Sequence, residues 1–198
     1  MIKLFSLDEF NKKAQEQLNE RKDRSACKAV KFVDSHMQKV KNIKDLTGRL
    51  PLRNEAFFLW TLNSFNAFTF IVYVIKHCGK IDDLSFSTYS INDRILTSLV
   101  KWYDRGEIQN VNISISDSIK QRNPRIFDQL ESQSLTRDIN INYTWNHSKV
   151  TLMKTANDHF VVEGSGNFSE NAQHEQYLFA NDQNLYDFRH SCIMPSPL

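Results

Sequence analysis

The chain is poor in backbone punctuation, with 5 glycines and 4 prolines in 198 residues. That scarcity excludes collagen-like, linker-like and low-complexity architectures. Cysteine is scarce too: Cys27, Cys78 and Cys192 are too few and too scattered for a disulfide framework or a zinc knuckle. An odd, sparse count fits a reducing compartment, and a cytoplasmic location is expected. No excess of one charge is present, since 25 Lys+Arg stand against 23 Asp+Glu, a net +2. Bulk electrostatics therefore point to no partner. What is abundant is apolar side chain: 40% hydrophobic residues and 14 Phe. A chain of that content and length buries a substantial core and is not disordered.

No apolar core of a signal peptide is seen in MIKLFSLDEFNKKAQEQ, because Asp8, Glu9 and Lys12 interrupt it. Ala56 to Ile75 runs 20 residues without a charge, the length of a membrane span. Its centre, however, carries Thr61, Asn63, Ser64, Asn66 and Thr69. The run is read as a buried strand, a polar turn and a buried helix, with no membrane partner expected.

Two regions differ in texture. Between Asn11 and Arg53 there are 12 basic and 5 acidic residues, a local +7, while the remainder is net negative. Residues 1–53 are read as a helical, basic N-terminal extension, with helical stretches near 7–18 and 26–40; its charge suits a solvated surface or a phosphate-facing arm. Residues 54–198 are read as the α/β domain. AFFLWT reads as a strand, Phe65 to Cys78 as an apolar helix ending at Gly79, and DDLSFSTYS as the next strand. Ile91, Ile95, Leu99 and Trp102 form one stripe of an amphipathic helix that Gly106 terminates. NVNISIS, a helix over 118–132, the strands ININ, HSKVTLM, HFVVEG and EQYLFAND, and a short closing helix LYDFRHSCI follow. Strand–helix units at this spacing predict an α/β fold: a mixed, mostly parallel sheet with helices on both faces.

Two of the five glycines, Gly164 and Gly166, fall in the string EGSGNFS, where close approach of the backbone to another group is expected. Upstream, His147 and Lys149 are two residues apart on an expected strand, so both side chains share a face. An imidazole and an ammonium in one space call for an anion between them. A hairpin through TAND brings Ser165 and Asn167 to the same end. Imidazole, cation, hydroxyl and amide together suit a phosphodiester. Tyr143 and Trp145, next to His147, are either core or walls of the site that stack on a base. No pair of histidines has metal-ligand spacing and CxxC is absent, so no metal or other cofactor is expected. A Ser–His–Asp hydrolase centred on Ser165 is disfavoured, because the G-x-S-x-G elbow is missing.

HSK followed by GSGN resembles the single-motif branch of the phospholipase D superfamily, whose signature is H-x-K-x4-D with a following G-S-x-N. The likeness is greatest to small bacterial phosphodiesterase-like endonucleases and covers about Asn54 to Ile193. It implies that His147 is the nucleophile, that Lys149 and Asn167 hold the phosphate, and that Ser165 assists. Glu175 in HEQY would orient a catalytic histidine. Gly164, Gly166, Tyr143 and Trp145 are the residues expected to line the substrate. One departure stands out: Lys154 occupies the position of the motif aspartate, with Asp158 nearby in the hairpin. A single H-x-K also implies that the second histidine comes from another copy, hence a homodimer with a shared, metal-independent site. The expected activity is that of a phosphodiesterase, a nuclease acting on DNA or RNA through a phosphohistidine. The alternatives are a nucleic-acid-binding module impaired in turnover and a phospholipid-headgroup phosphodiesterase.

Overall fold

A computed structural model describes residues 31–194 other than 47, 64–65 and 170–173. Its strands are β1 (Asp34–Val40), β2 (Glu55–Thr61), β3 (Ile81–Thr88), β4 (Ile108–Ser116), β5 (Ile139–Thr144), β6 (Val150–Lys154), β7 (His159–Gly164) and β8 (Gln176–Asn181). The helices are α1 (Phe68–Cys78), α2 (Asp93–Asp104), α3 (Ile119–Arg122), α4 (Pro124–Thr136) and α5 (Gln183–Ile193). All eight strands join one sheet in the order β1-β2-β8-β7-β6-β3-β4-β5.

Local chemistry sets the helix ends. Asn92 accepts the amide of Ile95 at 2.9 Å and Asp182 accepts that of Leu185 at 2.7 Å, two side-chain caps at helix starts. Gly79 and Gly106 stop α1 and α2 at φ 78° and 73°, a region that L side chains rarely adopt. The single helix expected over 118–132 is broken. Asn123 leaves the helical region at φ −148°, and Pro124 opens a new helix whose first turn Asn123 caps.

The sheet is mixed, as its pattern predicts. Its antiparallel pairings (β2·β8, β3·β6, β6·β7 and β7·β8) slightly outnumber the three parallel ones, β1·β2, β3·β4 and β4·β5. Strand–helix units produce the parallel part, and the final three strands, joined without long helices, close it as a meander. The main core lies between the sheet and α1, α2 and α4, and holds Phe57, Phe70, Phe86, Phe168 and Phe179 with almost no exposure. A smaller cluster packs α5 onto the other face through Val150, Leu152, Val161, Tyr186 and Ile193. The uncharged run from Ala56 resolves into β2 and α1, and no helix among the described residues is long and apolar enough to cross a membrane.

The N-terminal expectation needs correcting over residues 34–40. They form β1, paired in parallel with β2 along its length, where a helix is expected. His36 bonds Glu55 at 2.7 Å across that pair, and the compact unit begins at Phe32, upstream of the expected boundary. An outer strand needs no clean apolar alternation, so its pairing overrides the local pattern. The helical stretch expected near 7–18 and residues 26–30 of the second stretch fall outside the described residues.

Candidate active site

The ladder between β6 and β7 brings the two motifs together. Val150 pairs with Glu163, and one step further the Gly164 amide donates to the Lys149 carbonyl at 3.2 Å. HSK and GSGN therefore run abreast at one end of the sheet. His147 and Lys149 precede β6 in an extended segment and are not in the strand itself, which starts at Val150. Ahead of that rung, Asn146 and Ser148 bond to the Ser87 side chain of β3. His147 is exposed and Lys149 half-buried. The Lys149 ammonium donates to the His147 carbonyl at 2.8 Å and lies 3.2 Å from its Nδ1. Burial pulls the Lys149 pKa below that of a free lysine, while the charge of Glu175 works against that shift. Donation from the ammonium to Nδ1 needs a lone pair there, so that contact is a hydrogen bond only in the tautomer with its proton on Nε2.

Ser165 is fixed from β8. Its amide donates to the Gln176 carbonyl at 3.2 Å, its Oγ accepts the Gln176 amide at 3.2 Å, and its hydroxyl donates to the Glu175 carboxylate. Glu175 is itself held by Thr61 at the end of β2, through its amide at 2.7 Å and its carbonyl at 2.8 Å. Within the described residues of one copy, the partners of Glu175 are Ser165 and Thr61. The start of β8 sets its carboxylate beside Ser165 and Lys149.

Asn167 is half-buried, and its Oδ1 is buried without a hydrogen-bond partner among the described residues. An unmet buried carbonyl costs about 1–3 kcal/mol and is tolerated chiefly where a site needs it. The next residue anchors the loop: Phe168 is buried, stacks on Phe86 at 4.4 Å, and exchanges backbone contacts with Thr88 and Asn92. The expected close approach at Gly164 is to the chain itself. A Cβ there would collide with the Gln176 carbonyl and the Tyr177 ring. Gly166 is buried. Tyr143 packs half-buried against Phe127 at 5.2 Å, whereas Trp145 is 93% exposed two residues from His147.

Lys154 lies at the opposite end of β6 from Lys149, exposed to solvent. Five residues of strand separate them by roughly 16 Å. The residue in the motif-aspartate position therefore touches nothing at the site. Asp158 is also remote, accepting from Asn181 at 2.9 Å and facing Arg53 at 3.8 Å.

Two neighbours of His147 carry no signal in the sequence. The Tyr89 ring, just after β3, lies 4.8 Å from the imidazole, and the Arg122 guanidinium lies over the Tyr89 ring at 3.9 Å.

In fold, the chain is similar to structures of the phospholipase D family. Among them is Nuc from Salmonella typhimurium, at 18% identity over 70% of this chain and 91% of that one, TM-score 0.49. NucT from Helicobacter pylori matches at 15% identity over 69% and 93%, TM-score 0.48. TrmBL2, an archaeal chromatin protein, matches at 11% over 93% of this chain and 59% of that chain, TM-score 0.48. No protein-family model and no curated relative matches the chain.

Proposed function

We propose that the protein is a metal-independent phosphodiesterase of the phospholipase D type, a nuclease on DNA or RNA, whose site is completed by a second copy of the chain. The observation that supports this reading is the Gly164-to-Lys149 rung, because it runs the segment bearing the imidazole and ammonium abreast of the one bearing the hydroxyl and amide. A bound phosphate draws the Lys149 ammonium from Nδ1 onto a non-bridging oxygen. The freed imidazole then takes its proton on Nδ1, and Nε2 attacks phosphorus. A P–N bond forms, the P–O bond to one ester oxygen breaks, and that alkoxide takes a proton from a second imidazole. Water then attacks phosphorus, gives its proton back to the second imidazole, and releases His147 and a phosphate monoester. Lys149 and the Asn167 amide stabilise charge on the oxygens, and Glu175 holds Ser165 in place.

One imidazole cannot serve as nucleophile and as acid for the leaving group in the same step. The second is assigned to His147 of another copy related by a two-fold axis. An apolar surface suited to that contact borders the site. Met37, Phe58 and Leu178 line up across β1, β2 and β8 on the sheet face that α5 leaves uncovered. With Trp60, Lys149 and Arg189 they line an open groove of about 810 Å³. Met37 is 88% exposed, Trp60 49% and Phe58 43%. Exposed apolar surface of this kind marks an interface.

The test compares wild type with His147→Ala on plasmid, single-stranded oligonucleotide and bis-p-nitrophenyl phosphate, in EDTA. Turnover by wild type and none by the variant supports the reading. Activity lost in EDTA and restored by Mg²⁺ overturns the mechanism. A purely monomeric sedimentation profile at micromolar concentration overturns the shared site. Salt-sensitive binding without cleavage by either protein identifies the impaired binding module.

A further inference from the structure

The short helix α3 carries two cations past the ends of β3, β4 and β5, beside His147. Arg122 is exposed and lies flat on Tyr89 at 3.9 Å, and Tyr89 in turn stands 4.8 Å from the His147 ring. Guanidinium and imidazole thus both border the same tyrosine ring. Arg122 is held in that pose by two bonds, from Nε to Ser118 Oγ at 3.0 Å and from Nη2 to the Tyr89 carbonyl at 2.9 Å. Its Nη1 has no partner among the described residues. Nor has Arg122 any carboxylate partner there, whereas each other described arginine except Arg94 faces one. Lys120, two residues back, lies over Tyr143 at 5.1 Å and Phe127 at 5.3 Å, again with no ion pair among the described residues. Asp117, at the start of this turn, pairs with neither.

A guanidinium fixed by neutral acceptors keeps its full charge and part of its donor fork for an incoming oxyanion. Its position one ring from the nucleophile separates it from the scissile phosphate, which Lys149 and Asn167 hold. A polynucleotide presents a second phosphate one nucleotide along, while a small diester or a lipid headgroup has none. Ligands of open α/β sheets enter over the carboxyl ends of parallel strands, which is where α3 lies.

We propose that Arg122, with Lys120 beside it, forms a subsite for the phosphate adjacent to the scissile one, and that the substrate is therefore a polynucleotide strand. This rests on the nuclease reading above and adds to it the subsite that would favour a polynucleotide over a small diester. Tyr89 is the positioning residue, since its ring borders both Arg122 and His147 and its carbonyl accepts from Arg122.

The test uses the full chain and the variants Arg122→Gln, Arg122→Glu and Lys120→Gln/Arg122→Gln, each first shown by thermal melting to fold as wild type does. The kcat/KM for a single-stranded oligonucleotide should fall at least tenfold more than that for bis-p-nitrophenyl phosphate, and most for the charge reversal. In the His147→Ala background, the slope of log affinity against log salt for the oligonucleotide should shrink by about 0.7 for each cation removed. Equal losses on both substrates, or a wild-type salt slope in the double variant, overturn the subsite while leaving the phosphodiesterase reading intact. A wild type that neither cleaves nor binds any of these substrates overturns both.

Discussion

The carboxamide of Asn146 donates to the hydroxyl of Ser87 on β3 at 2.5 Å. Its Oδ1 accepts the amide and the hydroxyl of Ser148, each at 2.7 Å, and the two serine hydroxyls meet at 2.6 Å. Asn146 and Ser148 thus bond inward to the sheet and alternate with His147 and Lys149. Asn146→Ala should leave the chain folded at a cost of about 1–2 kcal/mol. Loosening of the His147 loop should lower kcat on bis-p-nitrophenyl phosphate much more than it changes KM. A rise in KM alone, with kcat kept, would count against this role.

Phe168→Ala empties a fully buried site against Phe86 and should cost about 3–5 kcal/mol by denaturant titration. The same change frees Asn167, so turnover should fall even well below the melting temperature. Retained turnover in the folded variant would detach Asn167 from the chemistry.

Gly164→Val puts a branched side chain where the Gln176 carbonyl and the Tyr177 ring already lie. The β7–β8 rungs must part to admit it, with an expected loss of about 1–3 kcal/mol. A melting temperature equal to wild type would contradict the close approach.

Burial lowers the pKa of Lys149, so its positive charge is lost at a lower pH than that of an exposed lysine. Affinity for inorganic phosphate, read by tryptophan fluorescence, should therefore weaken as pH rises through that depressed pKa. Lys149→Arg keeps its charge and should move the alkaline limb upward. Coincident limbs in the two proteins would remove Lys149 from anion binding.

Acid stability should depend on Glu55. Arg49 clasps its carboxylate, and the Leu52 amide and His36 add bonds, holding its pKa at about 2 against an ordinary value of 4.5. The folded value is depressed, so the stabilisation is complete above the unfolded pKa and lost as pH falls towards 2. It amounts to roughly 3 kcal/mol. Glu55→Gln should flatten the acid limb of the stability curve between about pH 5 and 2. An unchanged limb would assign acid unfolding to other carboxylates.

Periodicity made the scaffold legible wherever one face is buried: the stripe of α2, the alternation in β2, and the end of α1 at Gly79 all follow from local spacing. The HSK and GSGN strings were legible because their residue types have a joint chemistry. β1 was not, since seven polar-leaning residues form a strand only because β2 offers them a pairing edge. The roles of Tyr89 and Arg122 were equally hidden. They lie 33 residues apart and meet only once β3 and β4 are side by side. Glu175 illustrates a third limit, because the start of β8 decides which neighbour its carboxylate meets.

Pro124 gives the molecule a division of labour. By ending α3 after a single turn, it uncouples Lys120 and Arg122 from Ile126 and Leu130, which are packed in the core. The side chains that choose the ligand can therefore drift while the scaffold keeps its stability, so new preferences can arise in this protein without the fold being rebuilt.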